Sequence, residues 1–357
     1  MAKPEEFAAI LAGGGGTRLW PASRRSRPKQ LLSLGASESL LAATFRRLSA
    51  IVGVGRTLIV TAADQAEAIR QALPALPADN LVVEPAPRNT APAVGLAAAH
   101  VVRRAGQDAV LAVVPSDAFI NNELQYAVVL RIALAQASQA IVTVGIKPLR
   151  PETGYGYLQT GAKIAGSAEV CQVARFVEKP DQQTARAYLA SGEYLWNSGM
   201  FFFSAGRFLA EARTHLPELS ALLDELCTSP DPMALAQQRY PRVPAISIDY
   251  GIMEKAQGIQ VVPGDFGWSD VGSWAALAEI RPADLDGNVI SGDAIVKAST
   301  GSVVMAEPGA PLVGVVGVEG IVVVATRDAV LVVPKHRAQE VRSVVEELSA
   351  QGRDQFL

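Results

Sequence analysis

LAGGGGTRLWPASRRSRPKQLL, Leu11 to Leu32, is the stretch on which the reading of this chain turns. The apolar run before it, Phe7–Ala12, has the length and composition of a short buried strand. Four glycines follow, Gly13, Gly14, Gly15 and Gly16, then Thr17, Arg18 and, further on, Lys29. Glycines let the backbone turn sharply and bring amide N–H groups up to an anion. Arg18 and Lys29 add fixed positive charge to the same loop. A strand running into such a loop predicts phosphate chemistry and suits a triphosphate attacked at its α-phosphorus.

Two look-alikes fail on spacing. A Walker loop needs a Lys directly after its last glycine, and none stands here. A dinucleotide fingerprint runs from G-x-G-x-x-G into a helix, whereas these glycines lead into Thr-Arg-Leu-Trp-Pro and a basic loop, Arg24, Arg25, Arg27 and Lys29. A plain turn accounts for the glycines but leaves the ordered set of cations unexplained.

Composition narrows the class. The chain has 357 residues, 49% of them hydrophobic, enough for one large α/β domain and a smaller one. Its longest apolar runs, such as Gly320–Ala325, fall far short of the roughly 18 residues a spanning helix needs. The start, MAKPEEF, lacks the features of a signal peptide. A net charge of −3 gives no general affinity for nucleic acid. Two cysteines, Cys171 and Cys227, without a CxxC pair, fit a reducing compartment and no structural zinc, so a cytoplasmic location is expected. His100, His215 and His336 are scattered and offer no metal cluster.

Strands and helices alternate through the first half. Thr57–Thr61, Leu81–Glu84, Ala109–Val114 and Ala140–Gly145 read as strands. Ala63–Leu73, Ala91–Ala105 and Tyr126–Ser138 read as helices. The pattern predicts an α/β fold, a Rossmann-like, mostly parallel sheet flanked by helices, with ligands at the carboxyl ends of the strands. The glycine loop, Glu84 and Asp117 all fall at such ends. The middle section, with GYGY at Gly154–Tyr157, FVEKP at Phe176–Pro180 and WNSGMFFF at Trp196–Phe203, reads as an insertion beside the sheet that holds a second substrate. A helical region follows over Ala205–Cys227, then Ile246–Ala256, and Val261–Trp274 returns to a strand and turn. A boundary near Pro282–Gly287 separates a domain over 1–283 from a small all-β domain over 284–357, which closes with an amphipathic helix, Ala338–Leu348. Its Gly-Val pattern has no firm period.

The strings LAGGGGTRLWPASR, RPKQLL, EPAPRNTAPAVGLAA, VVPSD, GYGYL, FVEKPD, WNSGMF, SIDYGIMEK and WSDVGSW occur in this order along nearly the whole chain. By their number and order the chain resembles the mannose-1-phosphate guanylyltransferases, or GDP-mannose pyrophosphorylases, of the sugar-nucleotidyltransferase family. The resemblance implies a nucleotidyltransferase type A fold with a β-helix-like C-terminal domain. It implies transfer of GMP from GTP to α-D-mannose 1-phosphate, giving GDP-mannose and pyrophosphate, with Mg²⁺ as cofactor and Mn²⁺ as a substitute. A homodimer is expected, with no nucleic-acid or membrane partner. Arg18, Lys29 and Asp117 would be catalytic. The nucleotide would meet Leu11, Ala12, Gly13, Gly14, Gly15, Gly16, Thr17, Arg18, Lys29, Glu84, Arg88, Asn89, Thr90, Ala91 and Ser116. The sugar phosphate would meet Gly154, Tyr155, Glu178, Lys179, Asn197 and Gly199, and the metal Asp117 and Asp270.

The residue types suit that reaction. A sugar phosphate is already an anion, so no strong base is needed, and positioning with electrostatic stabilisation carries the catalysis. Mg²⁺ takes one or two carboxylates beside phosphate oxygens and water. Guanine presents two adjacent donors that a carboxylate accepts together, which makes Glu84 the base reader. A structural pairing of Glu84 with Arg88 is the alternative. Glu178 and Asn197 would hold hydroxyls and Lys179 the sugar phosphate, with close backbone approach at Gly154. Tyr155 and Tyr157 either wall the pocket or pack in the core. One departure from the family pattern is Ala118, where a His usually follows the Asp. The alternatives are another sugar-1-phosphate nucleotidyltransferase, such as a heptose 1-phosphate guanylyltransferase, or a nucleotide-sugar-binding subunit without turnover. Some relatives carry a further isomerase domain; the histidine cluster such a metal site needs is missing here, so no isomerase activity is expected.

Overall fold

The run at Phe7 forms β1, Glu6–Leu11, in the computed structural model, which describes residues 3–14, 17–167 and 169–357. Phe7, Ala8, Ala9 and Ile10 are at most 1% exposed, the burial of a strand covered on both faces. The strands that follow are β2 (Thr57–Ala62), β3 (Leu81–Glu84), β4 (Val110–Pro115), β5 (Phe119–Ile120), β6 (Val142–Ile146), β7 (Tyr157–Lys163), β8 (Cys171–Val177), β9 (Tyr194–Ser204), β10 (Gln260–Gly264) and β11 (Trp268–Ser269). The chain divides into two compact units interleaved along the sequence. One holds residues 1–13, 45–115 and 122–266; the other holds 14–44, 116–121 and 267–357.

The first unit is built on a nine-stranded sheet of order β3-β2-β1-β4-β9-β6-β10-β8-β7. β1 pairs in parallel with β2 and β4, and β2 with β3, so the chain leaves the carboxyl ends of these four strands along one edge. Helix Thr90–Ala105 buries ten of its residues and packs on helices Ala205–His215 and Pro217–Thr228. Its start is fixed by Asn89, whose Oδ1 accepts from Thr90 N at 2.8 Å.

The middle section differs from its sequence reading. WNSGMFFF does not lie beside the sheet: it is the body of β9, between β4 and β6 and antiparallel to both. Met200, Phe201, Phe202 and Phe203 are all at most 1% exposed. A continuous apolar run needs cover on both faces, and the centre of the sheet provides it. The sheet is thus parallel at β3-β2-β1-β4 and at β6-β10, and antiparallel around β9 and along the β8-β7 edge. Within 246–256 the helical content is a single π turn, Asp249–Met253.

The second unit joins the basic loop to the C-terminal β domain. β12 (Val289–Ser291), β14 (Val303–Ala306) and β16 (Ile321–Ala325) stack in parallel, as do β13 (Ala294–Lys297) and β15 (Val313–Val316); β17 (Val330–Pro334) closes antiparallel on β16. The valines explain the coil. Val303, Met305, Val322 and Val324 face one core with Leu19, Trp20, Leu32 and Trp274, while Val304, Val315 and Val323 face another. Alternate residues of one strand thus enter different cores, and the run reads apolar throughout. At Gly292, φ +84°, a Cβ would lie 1.8 Å from the Ala306 carbonyl oxygen, so only glycine fits between the turns. Helix Val341–Ala350 caps the unit with Val341 and Leu348 buried. Among the described residues no helix is long and apolar enough to cross a membrane.

Candidate active site

Lys29 follows Pro28 in a short 3₁₀ turn, Lys29–Leu31. Leu32, 1% exposed, anchors that turn in the core of the second unit. Lys29 itself is only 8% exposed, and a lysine so buried requires partners. It has two. Nζ donates to Asp117 Oδ2 at 2.7 Å and to the main-chain carbonyl of Asp270. The antiparallel pairing of β5 with β11, Ser269 opposite Phe119, sets the segments carrying Asp117 and Asp270 side by side. Asp270 Oδ1 accepts from Gly272 N at 3.0 Å across a tight turn, with Val271 buried at φ +46°. Residues distant in sequence thus meet at one ammonium. The donors there are hard oxygens, and the Asp117 side chain keeps 38% of its surface open, which suits a small divalent cation sharing phosphate oxygens. Among the described residues no group of three or more His, Cys, Asp or Glu gathers for a metal.

Thr17 and Arg18 lie in an adjoining 3₁₀ turn, exposed, and line a cavity of about 840 Å³ with Trp20, Arg24, Arg25 and Arg342. Arg18 carries no ion pair among the described residues. Gly15 and Gly16 lie outside the described residues; Gly14 is exposed and Ser116 buried.

In the first unit β1 delivers Leu11 and Ala12 to the loop. Ala12 N donates to Val60 O at 2.8 Å, and its carbonyl accepts from Thr61 Oγ1 at 3.0 Å. Glu84, at the end of β3, is 7% exposed and accepts from Tyr240 OH at 2.6 Å. Burial raises its pKa, and the Tyr240 bond partly opposes the rise. A Cβ at Gly13 would lie 3.1 Å from Glu84 Oε1, so glycine keeps that oxygen clear. Arg88 does not pair with Glu84: it donates to the Pro241 carbonyl, and its Nε is buried without a partner. The structural partner of Glu84 is thus Tyr240 and not Arg88. Thr90 Oγ1 accepts from Ile248 N at 2.9 Å and Ala91 N donates to Ile246 O at 3.0 Å, which ties this helix start to the segment before the π turn. Tyr240 went unnoticed in the sequence, where YPR carries no signal.

The FVEKP, WNSGMF and SIDYGIMEK strings converge in the same unit. Glu178 Oε1 accepts from Lys179 Nζ at 2.6 Å; its Oε2 is buried without a partner. A Cβ at Gly156 would come within 2.4 Å of that oxygen, so Gly156 is the glycine that makes room here, while Gly154 lies exposed. Lys179 sits at φ +48°, its N donating to Tyr155 O at 3.2 Å. Partial burial lowers its pKa, and the bond to Glu178 and the fields of Glu178, Tyr250 and Asp249 outweigh that and raise it. Asn197 Nδ2 donates to Asp249 Oδ1 at 3.0 Å. Burial first, then Glu178, pushes Asp249 up to about 6. Gly199, at φ +72°, donates its N–H to Asn197 Oδ1 at 3.2 Å. Tyr155 meets Trp196 edge-on at 5.2 Å, whereas Tyr157 is fully buried, a core residue. Asp249 and Glu254 lie within a string already singled out, but local spacing gave them no role.

Comparison with known proteins places the chain in a family. Residues 7–287 match the nucleotidyl transferase family, and residues 292–348 match the MannoseP isomerase/GMP-like beta-helix domain. The chain is 41% identical to a mannose-1-phosphate guanylyltransferase of Klebsiella pneumoniae, over 97% of this chain and 74% of that protein. It is 42% identical to the xanthan biosynthesis protein XanB of Xanthomonas campestris, again over 97% and 74%. Among solved structures it resembles a mannose-1-phosphate geranyltransferase from Thermus thermophilus, with TM-score 0.89, 37% identity, and coverage of 97% of this chain and 99% of that one. The chain belongs to the mannose-1-phosphate guanylyltransferase family of nucleotidyl transferases.

Proposed function

We propose that this chain transfers GMP from GTP to α-D-mannose 1-phosphate, releasing pyrophosphate and forming GDP-mannose. The observation that carries the reading is Lys29, a buried ammonium bonded to Asp117 and Asp270, in a chain 41% identical to a protein named for that activity. A phosphate oxygen of the sugar attacks the α-phosphorus in line, and the bond from that phosphorus to the β-bridging oxygen breaks. No proton need be taken from the nucleophile. Lys29 supports the charge that builds on the transferring phosphate, and Arg18 with the loop amides holds the triphosphate. Glu84 accepts the two guanine donors, held in place by Tyr240. Lys179 meets the sugar phosphate, and Glu178 and Asn197 its hydroxyls.

Asp117 and Asp270 would hold Mg²⁺, for which Mn²⁺ would substitute. Bound there, the cation supplies further neutralisation of phosphate charge. The same reading carries a cytoplasmic homodimer, supported by two free cysteines and by edge strand β17, which exposes Val330 and Val332. The test is pyrophosphate release with Mg²⁺ from each nucleoside triphosphate against mannose, glucose and heptose 1-phosphates. Turnover confined to GTP with mannose 1-phosphate is expected, and turnover with another pair overturns the substrate assignment.

A further inference from the structure

We infer that Asp249 is a positioning residue for the sugar: it fixes the Asn197 amide so that one N–H remains for a ligand hydroxyl. The inference rests on the sugar-phosphate reading above. Asn197 is held from four sides. Its main-chain N donates to Gly156 O at 2.8 Å. Its Oδ1 accepts from Gly199 N at 3.2 Å and lies 3.2 Å from Thr143 Oγ1, whose proton is shared with the Met200 carbonyl at 3.0 Å. One amide hydrogen goes to Asp249 Oδ1 at 3.0 Å. Turning the amide over would set Nδ2 against the Gly199 N–H and Oδ1 against the Asp249 carboxylate, two mismatches at once. The side chain can make two donations, and the structure uses one.

The same π turn also supports the other hydroxyl-binding residue. Glu254, directly after it, accepts from Glu178 N at 3.0 Å, and Glu254 N closes the turn on Asp249 O at 2.9 Å. One short segment therefore positions Glu178 and Asn197 from behind, which fits the frequent use of π turns at functional sites. The charged groups facing Asp249 are Glu178 and Lys179, one repelling its charge and one favouring it. A carboxyl is kept where burial and Glu178 work against its ionised form, so stability does not explain its presence.

The test compares Asp249→Ala and Asp249→Asn with the wild type, whose reaction with GTP and mannose 1-phosphate is read first. If the wild type uses a different sugar phosphate, the substrate assignment fails separately and the comparison is run with that sugar. Asp249→Ala is expected to raise KM for the sugar phosphate about tenfold, the loss of one charge-assisted hydrogen bond, with KM for GTP unchanged. Asp249→Asn, whose carbonyl still accepts from Asn197, is expected to recover most of that loss. Calorimetric binding of GDP-mannose, which has no phosphate monoester to titrate, supplies the second readout. Wild type and Asp249→Asn should bind it about equally on either side of pH 6, because the protonated acid and the amide both keep an oxygen that accepts from Asn197, and Asp249→Ala should bind about tenfold more weakly throughout. An unchanged sugar KM in a folded Asp249→Ala variant, or an Asp249→Asn variant as impaired as Ala, overturns the inference.

Discussion

The Lys29 cluster and the Asn197 cluster use similar residue types in opposite ways. Around Lys29 a single buried ammonium draws in Asp117 and the Asp270 carbonyl, so cation and oxygens are matched before any ligand arrives. Around Asn197 the carboxylates are in excess: Glu178 and Asp249 face one lysine, and Glu178 keeps a buried oxygen with no partner. With Mg²⁺ held by Asp117 and Asp270 as proposed above, the first arrangement would suit a polyanion whose charge grows during reaction. The second suits a ligand rich in hydroxyls, which donate to carboxylates and accept from an amide. The difference teaches where each should act: the Lys29 cluster on kcat, the Asn197 cluster on the KM of the sugar phosphate.

The largest expected effect breaks the first cluster. Lys29→Ala should lower kcat about 10³-fold, the usual cost of removing one preorganised group that stabilises transition-state charge, while KM for the sugar phosphate moves little. Steady-state pyrophosphate release reads both. Lys29→Arg should restore little, because a planar guanidinium does not replace a compact ammonium between these two partners.

Next comes the second cluster. Gly156→Ala pushes a Cβ into the Glu178 carboxylate and should raise the sugar-phosphate KM about tenfold, the loss of one hydrogen bond to a charged group, with GTP kinetics spared. Tyr240→Phe is the third. It removes the donor to buried Glu84 and should cost about 1–3 kcal/mol in a denaturant melt. It should also narrow the preference for GTP over UTP, and an unaltered preference would separate Glu84 from base reading.

The smallest effect concerns stability and pH. The folded-state pKa of Asp249, about 6, lies above its ordinary 3.8, so folding favours the protonated acid. The penalty for burying the charge is absent below about pH 4, grows as pH rises between the two values, and is full above 6. Asp249→Asn should therefore be more stable than wild type at pH 8, by about 1–3 kcal/mol, and lose that advantage toward pH 4. Equal melting temperatures at both pH values would show that the carboxyl is not held against its charge.

The parts of this picture legible in the sequence were those carried by local pattern. β1–β4 announced themselves as apolar runs between turn signals, and Lys29, Asp117 and Asp270 stood in distinctive strings. Their meeting was not legible, because it depends on β5 and β11, two-residue strands with no periodicity to read. β9 was misplaced for a related reason: a run buried on both faces shows no alternation, and nothing local says whether it lies in a sheet or beside one. Asp249 and Tyr240 were hidden by distance. Asp249 bonds a residue 52 positions away and Tyr240 one 156 positions away, and neither lies in a pattern that implies its partner.

The most direct test is the initial rate of pyrophosphate release at saturating GTP, titrated with mannose 1-phosphate, for wild type, Lys29→Ala and Asp249→Ala side by side. The expected result is a split. Lys29→Ala loses kcat with a near-normal KM, and Asp249→Ala loses KM with a near-normal kcat. Both variants losing the same parameter would contradict the division of labour between the two clusters.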